Sequence, residues 1–143
     1  MSIIDLYDLF IHNPQITTDS RNCPKGSIFF ALKGDKFDGN QYAGKALASG
    51  CVYAVIDNPD YYIGERTILV DNVLKTLQQL AHHHRKVLGL PIIGITGTNG
   101  KTTTKELVGR VLSRKFRTAV TQGNLNNHIG VPLTLLAMDR SVE

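Results

Sequence analysis

Cysteine is scarce in this sequence, and its two cysteines lie far apart. Cys23 and Cys51 form no Cys-x-x-Cys pair and have no spacing typical of a metal site. We therefore expect two reduced thiols in a reducing compartment. Long apolar runs are also missing: none approaches the length of a membrane span, and the amino terminus has no basic segment typical of a secretion signal. These absences predict a cytoplasmic protein that does not enter a membrane.

The composition predicts a globular chain with a modest basic charge. The 143 residues are 42% hydrophobic, and the formal net charge is +4. This length suits one domain, or one small domain and part of another. Nucleic-acid binding could be argued from one basic group, which consists of Lys105, Arg110, Arg114, Lys115 and Arg117. Because no aromatic residues alternate with these charges, we expect a solvated helix face and no nucleic-acid partner.

Helical and strand-like segments alternate along the chain, and this alternation predicts an α/β fold. Helices are expected over 2–10, with Ser2 as the cap, over 42–49, ended by Gly50, and from the cap Asp71 to about Leu88. Extended or buried strands are expected over 15–18, 27–32, 52–57 and 67–70. We assign residues 1–72 to a first domain and residues 73–143 to the beginning of a second.

The third predicted helix carries an apolar stripe and three consecutive histidines. The stripe consists of Val73, Leu77, Leu80, Ala81, His84 and Leu88. Neighbouring residues project about 100° apart around a helix, so His82, His83 and His84 cannot converge on one metal ion. We expect ordinary surface histidines instead of a metal cluster.

A glycine-rich loop joins an apolar segment to a helix, an order that builds a phosphate site. The loop consists of Gly97, Thr98, Asn99, Gly100, Lys101, Thr102 and Thr103. Backbone N–H groups, the helix dipole and the Lys101 ammonium would converge on an anion, and the Thr102 hydroxyl would touch a phosphate-bound Mg²⁺. The general P-loop pattern puts a glycine at position 95, which is Ile95, so this loop is more compact. We expect it to bind a nucleoside triphosphate.

The phosphate loop lies in a predicted β-α-β unit. Strands are expected over 92–96 and 117–121, around a helix over 102–115 that faces inward through Leu107, Val108, Val111 and Leu112. A further helix should begin near Gly130 or Val131, with Pro132 in its first turn. Two strands cannot bury both faces of a parallel sheet, so we expect this second domain to be incomplete.

Three blocks of sequence occur in a characteristic order. The first comprises Thr-Asp-Ser-Arg at 18–21, the segment 24–34 and Phe-Asp-Gly-Asn at 37–40. The second is the compact loop at 96–103, and the third is Gly-Asn-Leu-Asn-Asn-His-Ile-Gly-Val-Pro from residue 123. Together they resemble the ATP-dependent Mur ligases of peptidoglycan synthesis: the first block is similar to the UDP-binding domain of that family, and the third is typical of the members that add D-alanyl-D-alanine. The resemblance spans nearly the whole chain.

The resemblance implies two sets of site residues. Those for the UDP-linked substrate would be Ser20, Arg21, Lys33, Gly34, Asn124, Asn126 and Asn127. Those for ATP would be the residues of the loop 97–103, with Lys101 as the catalytic residue and Thr102 as the Mg²⁺ ligand. Local sequence leaves alternatives open, because 19–21 could be a turn with an internal ion pair and the asparagines could be turn formers.

The resemblance also implies a reaction. The terminal carboxylate of a UDP-N-acetylmuramoyl-tripeptide would attack ATP to give an acyl phosphate, which the amine of D-Ala-D-Ala would convert to an amide. The third peptide residue, diaminopimelate or lysine, stays open. Full-length members of the family are about three times as long. We therefore expect an N-terminal fragment, monomeric and without ligase activity alone.

Two alternatives also fit the sequence. One is a non-catalytic UDP-sugar-binding module, in which the loop is purely structural. The other is the related tripeptide-forming Mur ligase. A P-loop kinase or GTPase is disfavoured, since a separate α/β unit of about ninety residues precedes the loop and no Asp-x-x-Gly segment is present.

Overall fold

The structure is a computed structural model that describes residues 1–123 and 125–143. Its elements are, in chain order, α1 (Ile3–His12), β1 (Ile16–Thr17), β2 (Ile28–Phe30), β3 (Lys33–Gly34), β4 (Phe37–Asp38), α2 (Ala43–Ser49), β5 (Tyr53–Ile56), β6 (Thr67–Leu69), α3 (Val73–Leu88), α4 (Lys101–Leu112) and α5 (Gly130–Leu136). Short 3₁₀ helices cover Gly39–Tyr42 and Pro59–Tyr61. The predicted α/β class is confirmed.

A four-stranded parallel sheet forms the centre of the fold, in the order β1-β2-β5-β6. Ile28 lies between Ile16 and Tyr53 in register, and Ala54 pairs with Thr67. The strands β3 and β4 form a separate antiparallel hairpin beyond the end of β2. Parallel sheets need both faces covered, and helices here cover both.

Alternate residues of β2 and β5 supply the cores on the two faces of the sheet. Ile28, Phe30 and Val55 point to the face that α1 and α3 cover. Phe29, Ala54 and Ile56 point to the face that α2 covers. All six side chains are almost completely buried. The continuous apolar runs in the sequence follow from this two-sided burial.

Local capping signals decide where the first helices begin and end. Ser2 and Asp5 form a capping box at the start of α1, and Gly50 ends α2 with φ 126°. The helix α3 begins one residue later than predicted: its N-cap is Asn72, whose side chain accepts a hydrogen bond from the Lys75 N–H, and not Asp71. Gly89, with φ 66°, ends it.

The histidine of the α3 stripe is buried, so the prediction of three surface histidines is wrong for His84. This side chain is 6% exposed and lies between α1 and the segment after α5. Its Nδ1 lies 3.1 Å from the Tyr7 hydroxyl, and its Nε2 lies 2.8 Å from the Met138 carbonyl oxygen. Because a carbonyl only accepts, the Nε2–H donates to Met138, and in the neutral ring Nδ1 accepts from Tyr7.

The predicted strands 92–96 and 117–121 are absent from the structure, which leaves both segments irregular. A strand requires a partner strand for its ladder of hydrogen bonds, and among the described residues neither segment is paired with one. The segment 117–121 has a single backbone bond of this kind, from the Glu143 N–H to the Arg117 carbonyl oxygen. The inward face predicted for α4 is wrong for Leu107, which is 59% exposed, and for Val111, which is 71% exposed. Val108 and Leu112 are partly buried.

The two later helices nevertheless have defined neighbours. In α4, which ends at Leu112 instead of residue 115, Gly109 is the buried residue and faces Val120. The helix α5 begins at Gly130 with Pro132 in its first turn, as predicted, and packs along α3. The packing of α5 against α3 therefore attaches the part of the chain after residue 89 to the amino-terminal sheet and its helices.

Candidate nucleotide and substrate sites

The phosphate loop leads directly into the amino end of α4. Gly97 has φ 147° and Gly100 has φ 74°, so both occupy backbone conformations that favour glycine. Gly100 is the N-cap and has no side chain to bond the first N–H groups of the helix. Because the first turn of a helix has no internal acceptors for its N–H groups, these donors point outward at the loop. This backbone is compatible with the anion cradle that the sequence predicts, and the cradle stays a prediction.

The side chains around this cradle suit a phosphate bound to a magnesium ion. The Lys101 ammonium folds back over the loop and donates to the Gly97 carbonyl oxygen. Thr98, Asn99, Thr102 and Thr103 are exposed on the surface of the loop. An ammonium held by one carbonyl can exchange it for a phosphate oxygen, and an exposed threonine hydroxyl can reach a metal ion. The residues present therefore fit a nucleoside triphosphate with Mg²⁺.

A second polar cluster lies at the carboxyl ends of β2 and β5. The Lys33 ammonium lies 2.8 Å from Oδ1 of Asp57, which directly follows β5. Asn40 is completely buried, and its Nδ2 donates to Asp38 Oδ1 and Asp57 Oδ1 at 2.6 and 3.0 Å. Its Oδ1 accepts from the Asp57 N–H at 2.9 Å. Asp57 also accepts from the Val73 N–H, so this cluster joins the β3–β4 hairpin to the start of α3.

The ionisation of this cluster follows from its hydrogen bonds. Burial raises the pKa of Asp57, but the hydrogen bonds from Lys33, from the Val73 N–H and from Asn40 outweigh it, and the net pKa is lowered. The bond to Asp57 raises the pKa of Lys33. Both groups are therefore charged at neutral pH. The carboxyl edge of a parallel sheet is where α/β folds bind ligands, and this edge presents a half-exposed ammonium.

The pair Ser20 and Arg21 lies in a different loop, and Arg21 bonds within it. The Arg21 Nε and Nη2 atoms each lie 2.9 Å from an oxygen of Asp19. These hydrogen bonds lower the pKa of Asp19 to about 2. The internal ion pair left open by the sequence is therefore present. The Arg21 side chain is 82% exposed, so its remaining donors face solvent.

The asparagines after residue 123 divide into different environments. Asn127 Oδ1 accepts from the Ile129 and Gly130 N–H groups at 3.0 and 2.8 Å, and thus shapes the entry into α5. Asn126 is exposed. Asn124 lies outside the described residues. The main chain of this loop is tied to α3, because Gln78 Nε2 donates to the His128 carbonyl oxygen at 3.1 Å.

The structure brings some predicted residues together and leaves others apart. Lys33 and Gly34 are adjacent in β3, and the loop 97–103 forms one site at α4. Within 1–123 and 125–143, no hydrogen bond or ion pair joins Arg21 to Lys33, or either of them to the phosphate loop. Sequence reasoning missed Asp57 and Asn40. Position offered a signal for Asp57, since it directly follows a buried strand.

Two family models match this chain. One, described as the Mur ligase family catalytic domain, matches residues 12–85, and another, described as the Mur ligase middle domain, matches residues 95–143. The chain belongs to the Mur ligase family. Within the Mur ligases, a UDP-N-acetylmuramoyl-tripeptide–D-alanyl-D-alanine ligase from Bacillus subtilis strain 168 is 42% identical over 130 residues, which are 90% of this chain and 28% of that protein.

Solved Mur ligase structures share the fold. The UDP-N-acetylmuramoylalanyl-D-glutamyl-2,6-diaminopimelate–D-alanyl-D-alanyl ligase from Acinetobacter baumannii has a TM-score of 0.82 and 39% identity, over 90% of this chain and 29% of that one. The MurF ligase from Thermotoga maritima, solved in complex with ADP, has a TM-score of 0.81 and 32% identity, over 90% of this chain and 30% of that one. This Mur ligase chain thus spans less than a third of the length of these relatives.

Among the described residues, none of the helices combines the length and the apolar composition that crossing a bilayer requires. The same residues contain no group of three His, Cys, Asp or Glu side chains arranged to hold a metal ion. A Mg²⁺ ion at the phosphate loop would depend on a threonine hydroxyl and on the phosphates themselves, not on such a group.

Proposed function

We propose that this chain is the amino-terminal part of an ATP-dependent ligase that adds D-Ala-D-Ala to a UDP-N-acetylmuramoyl-tripeptide. The observation that carries this proposal is the 42% identity, over 90% of the chain, to a ligase with that name. Residues 1–72 would hold the UDP-linked substrate, and residues 73–143 would begin the ATP-binding domain. A nucleotide-linked substrate and ATP both place the reaction in the cytoplasm, and we expect a monomer.

The phosphate loop would hold ATP through its backbone. The residues Gly97, Thr98, Asn99, Gly100 and Thr103 supply N–H groups around the phosphates, Lys101 supplies a positive charge, and Thr102 supplies a hydroxyl for Mg²⁺. When bound, ATP would supply the phosphoryl group that activates the substrate carboxylate for amide formation. The contribution of the protein is to position the phosphates and neutralise their charge, because phosphoryl transfer requires little other chemistry.

The amino-terminal unit would hold the UDP moiety through two groups of residues. Lys33 offers an ammonium at the carboxyl edge of the sheet, and Gly34 beside it offers backbone groups on a residue whose Cα packs against the Phe37 ring. Ser20 and Arg21 offer a hydroxyl and a partly free guanidinium, which suit a uracil edge or a diphosphate. Asn124, Asn126 and Asn127 would contact the muramoyl peptide. The Lys33 and Arg21 groups each include a carboxylate, so a ligand must compete with Asp57 or Asp19 for the cation.

Calorimetry with two ligands tests this proposal. Titration of the chain with a UDP-N-acetylmuramoyl-tripeptide should show binding that Arg21→Ala and Lys33→Ala weaken. Titration with ATP and Mg²⁺ should show binding that Lys101→Ala weakens. Binding of the UDP ligand without any ATP binding would favour a UDP-sugar-binding module over a ligase fragment. Tighter binding of the UDP-muramoyl-dipeptide would favour the tripeptide-forming ligase.

A further inference from the structure

A groove lies between α3 and α5, and of its lining residues only Asn127 has a role in the proposed function. Its volume is about 380 Å³, and Gln78, His82 and Arg85 line one side of it. His128, Val131 and Leu135 line the other. The groove is open to solvent, so a ligand that enters it would be only partly enclosed.

The polar groups of the groove suit an anion. Arg85 contributes a guanidinium, and His82 and His128 contribute two imidazoles. The described residues that line the groove include no carboxylate. Among the described residues, the Arg85 side chain donates to no protein acceptor, in contrast to Arg21 and Arg66, which bond a carboxylate and three carbonyl oxygens respectively. A planar guanidinium of this kind pairs well with a carboxylate.

The groove is also fixed in place. The bond from Gln78 Nε2 to the His128 carbonyl oxygen joins its two sides, and Asn127 holds the turn before α5. Its apolar floor includes Val131 and Leu135, against which the methylene and methyl groups of a ligand can pack. The groove therefore combines an apolar floor with the hydrogen-bond donors of Arg85, which is cationic, and of Gln78, which is neutral.

The position of the groove relates it to the carboxyl edge of the sheet. Gln78 and Arg85 lie on one stripe of α3, five and twelve residues after Val73, whose N–H donates to Asp57. A rise of 1.5 Å per residue places them about 8 and about 18 Å along the helix from that residue. An extended peptide spans about 3.3 Å per residue, so three residues cover about 10 Å and reach the level of Gln78. A substrate anchored at Lys33 by its diphosphate would therefore use the N-acetylmuramoyl group as well as the peptide to reach Arg85.

We propose that the groove between α3 and α5 binds the carboxylate-bearing peptide stem of the UDP-muramoyl substrate, with Arg85 as the specificity-determining residue. This inference rests on the proposed function of the amino-terminal unit. The chemistry of the stem favours it over other occupants, since a D-glutamyl-diaminopimelyl stem of the kind named for one relative carries several carboxylates. The guanidinium pairs with a carboxylate, and the floor contacts the aliphatic part of the side chain.

Calorimetry on the whole 143-residue chain tests the groove. The probes are UDP-N-acetylmuramoyl-tripeptide and UDP-N-acetylmuramate, which share the nucleotide and the sugar but differ in the peptide. The wild-type chain should bind the first about fivefold more tightly, as expected for one exposed charged pair. Arg85→Ala should reduce this difference without changing the affinity for UDP-N-acetylmuramate, and Arg85→Lys should retain more of it than Arg85→Ala does. Lys86→Ala, which removes an exposed charge at the next position of the helix, should leave both affinities unchanged.

Several outcomes would overturn the proposal. Equal affinity of the wild-type chain for the two probes would do so, as would an equal effect of Arg85→Ala on both. If neither UDP ligand binds, the proposed function of the carboxyl edge fails, and the free tripeptide then decides the question. In an NMR titration with the free tripeptide, chemical-shift changes confined to residues 78–85 and 127–135 would still support binding in the groove. The absence of such changes at millimolar tripeptide would refute it.

Discussion

The Lys33 ammonium and the Asp57 carboxylate meet at 2.8 Å, at the point where β5 ends and α3 begins. Asp57 is bonded at both oxygens, to Lys33 and Asn40 through one and to the Val73 N–H through the other. A single carboxylate therefore holds the β3–β4 hairpin, the buried Asn40 and the first turn of α3. The proposed substrate cation is positioned by a residue that is central to the stability of the fold.

Asp57→Asn should destabilise the chain, because it removes the charge while retaining the shape of the side chain. We expect a loss of about 2 kcal/mol at pH 7, measured by urea denaturation. The folded-state pKa of Asp57 is lowered, so its stabilising contribution is present above the unfolded carboxyl pKa of about 4 and is lost as the pH falls. The difference between wild type and variant should therefore shrink at pH 3. Asp60→Asn, at an exposed site nearby, should cost little at either pH, and an equal loss in both variants would contradict this account.

Lys101→Ala should reduce the affinity for ATP in the presence of Mg²⁺ by about tenfold or more, since a charge-assisted contact to phosphate is lost. The measurement is calorimetry or competition with a fluorescent nucleotide. Arg110→Ala removes an equal charge from the other end of α4 and should leave the affinity unchanged. If both variants weaken binding equally, the effect is one of net charge and not of the phosphate loop.

The 143-residue chain should release no phosphate from ATP when it is given both a UDP-muramoyl-tripeptide and D-Ala-D-Ala. The reason is that the chain spans about 28% of the length of the relative named above, and an acyl-phosphate reaction needs groups on both the nucleotide and the acceptor. A coupled phosphate assay at saturating substrates provides the measurement. Steady release that Lys101→Ala abolishes would show that this chain already contains a complete catalytic centre.

His84→Ala should cost about 2–3 kcal/mol in the free energy of unfolding, because it leaves the Tyr7 hydroxyl and the Met138 carbonyl without their partner. Tyr7→Phe removes one of these bonds and should cost about 1 kcal/mol. The double variant should cost less than the sum, since both substitutions disrupt the same contact. His82→Ala, at an exposed position of the same helix, is the control. Additive losses would show that Tyr7 and His84 do not interact.

Gly39→Ala should destabilise the fold by about 3 kcal/mol or more, because the new Cβ would lie 2.4 Å from the Leu32 carbonyl oxygen and 2.7 Å from the Ala31 carbonyl carbon. Backbone atoms cannot move aside as a flexible side chain can. Gly44→Ala is the matched control: its Cβ would meet only Ile63 at 3.5 Å within α2, where alanine is favoured by about 1 kcal/mol over glycine. Equal thermal midpoints for the two variants would contradict this prediction.

Much of the fold could be predicted because its signals are local. The capping box at Ser2, the glycine after α2 and the apolar runs of β2 and β5 each act within a few residues. The phosphate loop is likewise a local structure, and the positive φ angles of Gly97 and Gly100 agree with its predicted form. The division at residues 72 and 73 stays a prediction. The helix α3, which follows it, packs into the core of the amino-terminal sheet.

The failures arise where a segment depends on a distant partner. The apolar segment 92–96 has the composition of a buried strand, but a strand forms only where another backbone completes its hydrogen bonds. Leu107 and Val111 have the spacing of an inward face, but burial requires a surface to cover them. Hydrophobic periodicity shows which face of a segment could be buried, but burial also requires a neighbouring element that packs against that face.

By itself, the sequence determined the α/β class, the capping of the first helices, the glycine turn before α4 and the resemblance to the Mur ligases, because each depends on residues close together in the chain. Only the tertiary structure decided that Asp57 bonds Lys33 and Asn40, that His84 links α1 to the segment after α5, and that α3 and α5 form a groove. These contacts join residues that are between 17 and 77 positions apart. Such pairs come into contact when whole helices and strands pack together. A local sequence pattern does not specify which of these elements will be neighbours.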